Sequence, residues 1–523
     1  MVLGEITLHA TNGNRGAHQP RQTTLFDALG AAQRRHKRRH KLSEPSAGQE
    51  NAPPDSGRPA ADGADVKRPR TKPPPCHQRP AASAHRVVPF VSYSVHSAAR
   101  ARQRHALAAD RISAIGRLAS LVSPSTGVFQ LQADLEPQLA LLPLACRYSN
   151  TAGAGGKLAL VDEGGSVSMF DTLAIDAEST ADSGLQPVLR WQAHNSAVFD
   201  IGWRMDDTQA VTASADETCR LWDVERQALL GTFAGHSQTV RSISWRPSDM
   251  HCFSTASRDG SIMMWDVRCN KVAAPAAGEH TFRPVNAISR AHHSVGASAR
   301  ALRGRKHVVG GSVTAICHLQ HDANLVASTG STSEIVKYWD LRMRAAPRAS
   351  TLPTPVAASQ LLSPTRRSRG TSSLLLSPDG ARLYSACNDS RVYAHNALAL
   401  EQPIAQLAAP EFECQSFNIG LAASPCGRHL AAGSSSGSVV VWELDRLGAN
   451  SSGRRAVLQG HVKEAGCVAW YPGGERVQLA TCGDDGILRV WDENSHLAAA
   501  AQSDPMRRCS WGFSRIASGA PAP

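Results

Sequence analysis

Short hydrophobic runs separated by polar turns fill the middle of the chain. Between residues 191 and 271, the segments VTASAD and FSTASRD each combine small, β-branched or aromatic residues with a final Asp. The segments CRLWDV and IMMWDV follow them, and each carries a Trp among apolar neighbours. Runs of this length that end in Asp, Ser or Gly are typical of β-strands joined by tight turns. The pattern therefore predicts an all-β fold.

The same arrangement of four residue types occurs twice in this stretch. The two sets are His194, Thr212, Asp216 and Trp222, and then His236, Thr255, Asp259 and Trp265. The two Trp residues are 43 positions apart, which falls within the period of roughly 40–45 residues for WD repeats. One such repeat forms a four-stranded blade, and several blades close around a channel in a β-propeller.

The repeated polar residues have a structural interpretation. A buried Trp N–H needs an acceptor, and a Thr hydroxyl, a His ring and a turn Asp can form a hydrogen-bonded chain that provides it. We therefore expect these His and Asp residues to connect strands rather than to catalyse a reaction.

Further units can be followed from about residue 126. Phe170 ends the first unit in place of a Trp, and the second and third end at Trp222 and Trp265. The later units show the substitutions Ser333, His395 and Ser436, while Asp389 is kept and the last unit is complete with His461, Thr481, Asp485 and Trp491. The count predicts a seven-bladed WD-repeat β-propeller over 106–500, followed by a short flexible C-terminal tail over 501–523.

The N-terminal region has a different composition. Residues 1–110 contain 18 Lys and Arg and 8 Asp and Glu, and so carry most of the net charge of +12. They also contain PPDSGRPAADGAD and RPRTKPPP, which are too polar and too rich in Pro to form a core. We expect residues 1–105 to be a disordered basic tail.

Three short elements lie in this tail. RQTTLFDALG resembles the sliding-clamp-binding box of replication proteins at Gln22 and Leu25, with Phe26 nearby, although Ala28 and Leu29 stand where two aromatic residues are expected. The alternative is a chance amphipathic turn. The runs RRHKRRHK and KRPRTKP predict nuclear import, with nucleic-acid contact or a merely solvated tail as alternatives.

Several functional classes lack support in the sequence. The 12 Cys form no C-x-x-C pair, which predicts free thiols and a reducing compartment. No apolar run reaches the roughly 18 residues of a membrane span. The chain shows no nucleophile elbow, phosphate loop, metal-spaced His/Cys set or paired carboxylates. We therefore expect a soluble protein that is not an enzyme and that binds no cofactor or metal.

Two Trp residues are followed by the motif WDxR. The motif comprises Trp265, Asp266 and Arg268 in the third unit, and Trp339, Asp340 and Arg342 in the fourth. W-D-x-R resembles the box by which propeller receptors dock on the adaptor of cullin-4 RING ubiquitin ligases, a protein of three propellers that binds damaged DNA. The structural alternative is a pair of surface Arg residues, each paired with a neighbouring acid.

The surrounding segments are also informative. WQAHNSAVFDIGW, LLGTFAGH, SRDGSIMMWDVRCNK, PVNAISRAHH, SVTAICHL and IVKYWDLR are similar to the denticleless family. The resemblance implies a substrate receptor that presents replication-licensing and cell-cycle proteins for ubiquitination in S phase and after DNA damage. It makes the six WDxR residues adaptor contacts.

In that family, a degron is recognised on a substrate loaded on the sliding clamp. The resemblance makes two basic insertions candidates for the substrate face, with solvated loops as the alternative. Their cationic residues are Arg303, Arg305, Lys306, Arg366 and Arg367. No sequence-specific nucleic-acid binding is expected. The competing function is a WD-repeat scaffold in chromatin or DNA-repair assembly.

Overall fold

The computed structural model describes residues 115–132, 141–151, 156–175, 184–273, 280–292, 311–343, 353–360, 369–444, 454–473, 476–504 and 511–517. All of them belong to one compact unit, 89–523. Within these ranges, strands dominate and the helices are limited to α1 (Ile115–Leu118), α2 (Ser495–Ser503) and one 3-10 turn (Ser125–Gly127). The predicted all-β class is confirmed. No helix in the described ranges is long and apolar enough to cross a membrane.

The strands of the described residues form six sheets, and four of these sheets are antiparallel with four strands each. The first consists of β3 (Pro143–Tyr148), β4 (Lys157–Asp162), β5 (Ser166–Asp171) and β6 (Leu189–Gln192). The others are β11 (Val240–Trp245), β12 (Cys252–Ser257), β13 (Ile262–Asp266) and β16 (Asn286–Ile288); β17 (Val313–His318), β18 (Leu325–Gly330), β19 (Ser333–Asp340) and β20 (Ala357–Ala358); and β21 (Thr371–Leu376), β22 (Arg382–Cys387), β23 (Arg391–Asn396) and β24 (Pro403–Leu407).

A fifth sheet has six strands. Its four consecutive strands are β7 (Val198–Trp203), β8 (Gln209–Ser214), β9 (Thr218–Asp223) and β10 (Ala228–Ala234), and β14 (Lys271–Ala273) and β15 (His280–Phe282) extend its outer edge. β15 pairs in parallel with β10, and the Phe282 ring stacks on Phe233 with the ring centres 4.6 Å apart. The segment between β13 and β16 therefore covers the edge of the neighbouring sheet.

The sixth sheet has ten strands and joins both ends of the described chain. It contains β1 (Leu121–Ser123), β2 (Val128–Gln130), β25 (Leu421–Ala423), β26 (His429–Ala432), β27 (Val439–Glu443), β28 (Arg455–Gln459), β29 (Ala465–Trp470), β30 (Gln478–Gly483), β31 (Ile487–Glu493) and β32 (Gly512–Ala517). Both β1 and β2 pair with β31. Strands from before the first sheet therefore complete the last group of strands.

Seven repeats were predicted, and one sheet was expected for each of them. The described strands form six sheets. The reason is β32, which pairs with β28 on one side and with β1 on the other. It thereby connects two groups of strands that the repeat pattern treats as separate. This pairing also corrects the prediction of a flexible tail over 501–523, because residues 512–517 of that segment form a strand.

We call the consecutive strands of one repeat a group. The first strand of each group lies next to a central channel. The inner strands β3, β7, β11, β17, β21, β25 and β29 contact one another in this order, and β29 contacts β3. Trp side chains link several neighbours at the ends of these strands. The Nε1 groups of Trp203, Trp245 and Trp470 donate to backbone carbonyls of the preceding inner strand, over 3.1, 3.0 and 3.2 Å. The chain is a propeller in which apolar clusters fill the space between successive sheets.

Two rims follow from this topology. We call the edge formed by the first-to-second and third-to-fourth strand connections the lower rim. The upper rim holds the second-to-third turns and the connections between groups. In the third group, the upper turn is formed by Asp259 and Gly260, where Asp259 accepts from the N–H of Ser261 over 2.8 Å and Gly260 has a φ of +81°. A glycine adopts this left-handed conformation without steric cost.

Candidate functional site

The predicted hydrogen-bonded chain between Trp, Thr, His and Asp is present in three groups of strands. In the second, Trp222 Nε1 donates to Thr212 Oγ1 over 3.1 Å, and the ring of His194 lies 2.8 Å from both Thr212 Oγ1 and Asp216 Oδ2. The other two chains join Trp265, Thr255, His236 and Asp259, and Trp491, Thr481, His461 and Asp485. The structural interpretation of these residues is confirmed.

The protonation states of His194 and Asp216 fit this structural role. Burial lowers the pKa of His194, so the ring is neutral near pH 7. A proton on Nδ1 lets it donate to Asp216, while Nε2 accepts from the Thr212 hydroxyl. Burial tends to raise the pKa of Asp216, but its contacts with His194 and Thr218 lower it overall. Every polar group of this hydrogen-bonded chain has a partner within the sheet, so the chain connects the strands to the buried Trp222.

The fourth group contains a variant that the sequence pattern did not reveal. Trp339 Nε1 donates to Ser328 Oγ over 2.8 Å, and His292 Nε2 lies 2.7 Å from the same oxygen. Ser replaces Thr here and stands 11 rather than 10 positions before the Trp. A shift in the β18–β19 register near Gly330 accounts for the extra residue.

The two WDxR motifs share the same contact between Arg and Asp, and Arg268 Nη2 also lies 3.1 Å from Asp249 Oδ2. Arg268 donates from its backbone N–H and its Nε to Asp266 Oδ1 over 2.8 and 2.9 Å, and Nη2 lies 2.7 Å from Oδ2. Arg342 makes the corresponding bonds to Asp340 over 2.9, 2.9 and 2.7 Å. The Arg268 side chain is 54% exposed and that of Arg342 is 63% exposed. Each guanidinium is thus held in a fixed orientation at the surface.

The Trp and Asp residues of the motifs explain this orientation. Trp265 and Trp339 are buried and fix the ends of β13 and β19, so the following Asp lies at the lower rim. The hydrogen bonds from Arg268 lower the pKa of Asp266 to about 2. Those from Arg342 likewise lower the pKa of Asp340. Both carboxylates are therefore ionised over the physiological range and orient their Arg residues.

Polar contacts connect the two motifs along the lower rim. Asn286, at the start of β16, donates from Nδ2 to the carbonyls of Leu341 and Met343 over 2.7 and 2.8 Å. Arg246, after β11, donates to Asn324 Oδ1 over 2.5 Å. Sequence reasoning missed these residues because Asn286 begins a strand of three residues and Arg246 and Asn324 lie in turns, where the repeat pattern has no fixed positions. They hold the third and fourth groups in a fixed relation at this rim.

Apolar side chains are exposed around the two Arg residues. They are Met250, Val285, Met343 and Val356. Met250 lies in the turn between β11 and β12, Met343 follows β19, and the two Val residues directly precede β16 and β20. The lower rim of these two groups therefore combines oriented cations with apolar area, a composition found in protein–protein interfaces.

The channel contains mainly internal contacts. Its cavity volume is 590 Å³. Arg147 Nε donates to Asp200 Oδ1 over 2.9 Å inside it. Arg241 donates to the Phe417 carbonyl over 2.9 Å and lies above the Phe199 ring, 4.6 Å from its centre. Burial lowers the pKa of Arg241 to about 10, which leaves it charged near pH 7. These contacts hold inner strands together.

The remaining predicted residues lie outside the described ranges. They are Gln22, Leu25, Phe26, Arg303, Arg305, Lys306, Arg366 and Arg367. Residues that flank the two insertions, such as His292, Gly311 and Arg369, lie in connections between groups and therefore at the upper rim. No group of three or more His, Cys, Asp or Glu side chains in the described part is arranged to bind a metal ion.

Fold and repeat chemistry together define a WD-repeat β-propeller protein. The family "WD domain, G-beta repeat" matches residues 185–223, 227–266, 410–443 and 453–492. The segments include the complete Trp–Thr–His–Asp chains described above.

Sequence similarity to three relatives identifies the family more narrowly. "Denticleless protein homolog B" of Xenopus laevis is 32% identical over 382 residues, which cover 71% of this chain and 51% of the relative. "Denticleless protein homolog" of Danio rerio is 34% identical over 361 residues, or 68% of this chain and 52% of the relative. "Cell division cycle protein cdt2" of Schizosaccharomyces pombe is 30% identical over 390 residues, or 71% and 74%.

The chain belongs to the denticleless family. It spans about half the length of the two vertebrate relatives and about three quarters of the yeast relative.

Proposed function

We propose that this protein is the substrate receptor of a cullin-4 RING ubiquitin ligase and that it docks on the ligase adaptor through its two WDxR motifs. The observation that carries the proposal is the matching presentation of Arg268 and Arg342 on the lower rim of consecutive groups. A guanidinium has five N–H donors in a planar fork. Asp266 and Asp340 engage the Nε and Nη2 edge of each fork, and Asp249 also accepts from Arg268 Nη2. The donors on Nη1 are therefore available to acceptors on a partner.

The physical cost of binding supports the same surface. Binding normally immobilises long side chains at a cost of about 0.5–1.5 kcal/mol each. The carboxylates of Asp266 and Asp340 already restrict the two Arg residues, so less entropy is lost on docking. Met250, Val285, Met343 and Val356 add apolar area around them. We infer an adaptor surface with hydrogen-bond acceptors next to an apolar patch.

Substrate binding is proposed for the upper rim. The flanking residues of both basic insertions support this assignment, because they belong to connections on that rim. Arg303, Arg305, Lys306, Arg366 and Arg367 would then face a degron while the lower rim holds the adaptor. The name of the yeast relative supports a role in the cell cycle, and we propose replication-licensing and cell-cycle proteins, in S phase and after DNA damage, as substrates.

The wider assignment has four parts. The closed order of inner strands supports a ring of seven blades, in which β32 bridges the last two. We propose that the basic runs of the tail over 1–105 direct the protein to the nucleus. Gln22, Leu25 and Phe26 are proposed to contact the sliding clamp weakly. We propose that the protein presents substrates and is not itself an enzyme, which its membership of a WD-repeat family supports.

Replacing both motif Arg residues tests the adaptor contact. The double variant Arg268→Ala, Arg342→Ala should bind purified cullin-4 adaptor at least thirtyfold more weakly than the wild type. The reason is that truncating a central Arg typically costs about 2 kcal/mol or more, and about 1.4 kcal/mol corresponds to tenfold in affinity. Titration calorimetry gives the affinity, and a thermal melt should match that of the wild type.

Arg226→Ala is the matched control. Arg226 also follows a WD pair, in the second group, where its side chain is 80% exposed and its Nη1 lies 3.2 Å from Asp223 Oδ2. It stands one position later than the Arg of WDxR and should contribute little. Wild-type adaptor affinity in the folded double variant would reject the proposal and favour a scaffold in chromatin or DNA-repair assembly.

A further inference from the structure

Four described Ser and Thr residues directly precede a Pro. They are Ser123, Thr354, Ser377 and Ser424. Three of these hydroxyl residues are buried. Ser377 Oγ donates to Asp379 over 2.5 Å, and Ser424 Oγ accepts from the N–H of His429 over 3.0 Å. Thr354 alone among the four is exposed, so the fold leaves one such site open to an enzyme.

The backbone around Thr354 has a suitable shape for recognition. Pro353 and Pro355 lie on either side of it, and the stretch has no regular secondary structure until β20 begins at Ala357. A residue before Pro is restricted to extended conformations. A proline-directed kinase binds its substrate as an extended segment with Pro directly after the acceptor. Thr354 therefore meets the steric and the sequence requirement together.

The site lies next to one of the two WDxR motifs. The N–H of Val356 donates to the carbonyl of Tyr338 over 2.8 Å, and Ala357 pairs with Tyr338 in the antiparallel β19–β20 ladder. Continuing this register towards the lower rim brings Pro355 opposite Asp340 and Thr354 opposite Leu341, which lies between Asp340 and Arg342. Arg342 is paired with the carboxylate of Asp340. A charge on Thr354 would thus fall within roughly one Debye length of the guanidinium.

We propose that Thr354 is a phosphorylation site for a proline-directed Ser/Thr kinase and that its phosphate releases the adaptor from the lower rim. The release of the adaptor rests on the proposed function. In the reaction, Thr354 Oγ1 forms a bond to the γ-phosphorus of MgATP while the bond between that phosphorus and the β,γ-bridging oxygen breaks. ADP leaves and the hydroxyl proton is released to the kinase base or to water.

The expected effect follows from the added charge. A phosphate carries about −1.5 to −2 charges at pH 7 and three strong acceptor oxygens. Its oxygens compete with the adaptor for the outer donors of Arg342, because charge-assisted bonds between Arg and phosphate are strong and bidentate. The phosphate also repels acidic groups on the partner. Both effects weaken docking while leaving the folded ring in place.

The first experiment establishes the modification. The full-length chain is incubated with a purified proline-directed kinase and MgATP, and the sites are located by peptide mass spectrometry. Phosphate should appear on Thr354 and stay absent from Ser123, Ser377 and Ser424. Failure to modify Thr354 in folded protein, under conditions that phosphorylate a peptide of residues 348–360, would overturn the proposal.

The second experiment connects the phosphate with docking. We expect phosphorylated wild type to bind the adaptor at least tenfold more weakly than untreated protein. Thr354→Ala should bind like untreated wild type before and after kinase treatment, which isolates Thr354 from Ser363, another residue that precedes Pro. In Arg342→Ala, phosphorylation should lower the affinity by a smaller factor than in the wild type, because the competition for Arg342 is missing and the repulsion of acidic groups on the partner remains.

The outcomes distinguish the two proposals. If untreated wild type binds the adaptor and phosphorylation of Thr354 leaves the affinity unchanged, the switch is wrong and the receptor function stands. If untreated protein does not bind the adaptor at all, the proposed function fails. In that case, phosphorylation of Thr354 itself is still decided by the mass spectrum. An equal loss of affinity in Arg342→Ala and wild type would overturn the route through Arg342.

Discussion

Three buried histidines make the stability of the ring sensitive to acid. Burial lowers the pKa of His292 and His318 to about 3 and that of His395 to about 4. In the unfolded chain these rings titrate near 6.5. At a pH between the folded and the unfolded pKa, the three rings are protonated in the unfolded state and neutral in the folded state. Stability is therefore complete above about pH 6.5 and falls as the pH decreases towards 4.

His395→Leu tests the contribution of one ring. Both ring nitrogens of His395 are buried without a hydrogen-bond partner, so replacement by an apolar side chain removes a titration without breaking a bond. Between pH 6.5 and 5, the variant should lose about 1.5 kcal/mol less than the wild type, at roughly 1.4 kcal/mol per pH unit per proton and with the unfolded ring half protonated at pH 6.5. Urea unfolding at pH 8, 6.5 and 5 measures the difference.

The pH 8 measurement serves as the internal control. There the wild type and the variant differ only through packing, and that constant difference is subtracted at each lower pH. Parallel loss of stability in the two proteins below pH 6.5 would contradict the assignment of His395 as a neutral buried ring.

For single residues, the sequence predicts the hydrogen-bonded polar partners of a Trp well where their spacing from that Trp is constant. Thr212, Thr255 and Thr481 all stand ten positions before their Trp, and their hydrogen-bonded chains were predicted. Ser328 escaped prediction because a change of residue and a register shift coincide there. In the sixth group, Trp442 Nε1 is buried without a partner because Ala432 occupies the place of the Thr.

Strand β32 illustrates how an element can stabilise distant parts of the chain. Five of its residues, from Phe513 to Ala517, pair with Gln459 to Arg455 of β28. Phe513 and Gly512 pair with Val122 and Ser123 of β1. Without β32, two strand edges would be open, and open edges invite pairing with other chains.

Deleting residues 511–523 should therefore destabilise the protein. We expect a loss of roughly 3–5 kcal/mol, at a net of about 1 kcal/mol for each ladder hydrogen bond removed, together with aggregation. Chemical unfolding and light scattering measure the two effects. Deletion of 518–523 alone keeps β32 and should behave like the wild type. Equal stability of the two truncations would show that β32 contributes nothing.

The extra elements could not be predicted from the hydrophobic pattern. β14, β15 and β32 are three to six residues long and carry little alternation, and their partners are fixed by edges that distant residues leave open. The main strands were predictable because each repeat supplies its own turns and its own Trp. Local periodicity thus determines the repeating strands, and long-range edge pairing determines the strands that join them.

For the whole molecule, the two rims should be separable by mutation. Replacing Arg303, Arg305, Lys306, Arg366 and Arg367 by Glu should slow ubiquitination of a clamp-loaded substrate while leaving adaptor affinity at the wild-type value. The loss should shrink as salt increases, because rim charges act mainly on association and are screened. A reconstituted ubiquitination assay and an adaptor titration measure the two functions.

The double variant Arg268→Ala, Arg342→Ala provides the opposite pattern. It should lose adaptor affinity and keep direct substrate binding. A charge-reversed protein that supports ubiquitination at the wild-type rate would show that the basic insertions do not read the substrate. The rim of the two WDxR motifs follows from the sequence, because the position of a residue within its repeat fixes its rim.

The pairing of β2 with β31 links the biogenesis of the protein to the timing of translation. Val128 pairs with Arg489, so β2 leaves the ribosome about 360 residues before its partner. At about 5–20 residues per second, the delay is roughly 20–70 s. Throughout that interval the nascent chain carries an unpaired strand, and a message truncated upstream of codon 487 yields a product that never acquires its partner. The level of this protein in a cell should therefore depend on chaperones that act on ribosome-bound chains.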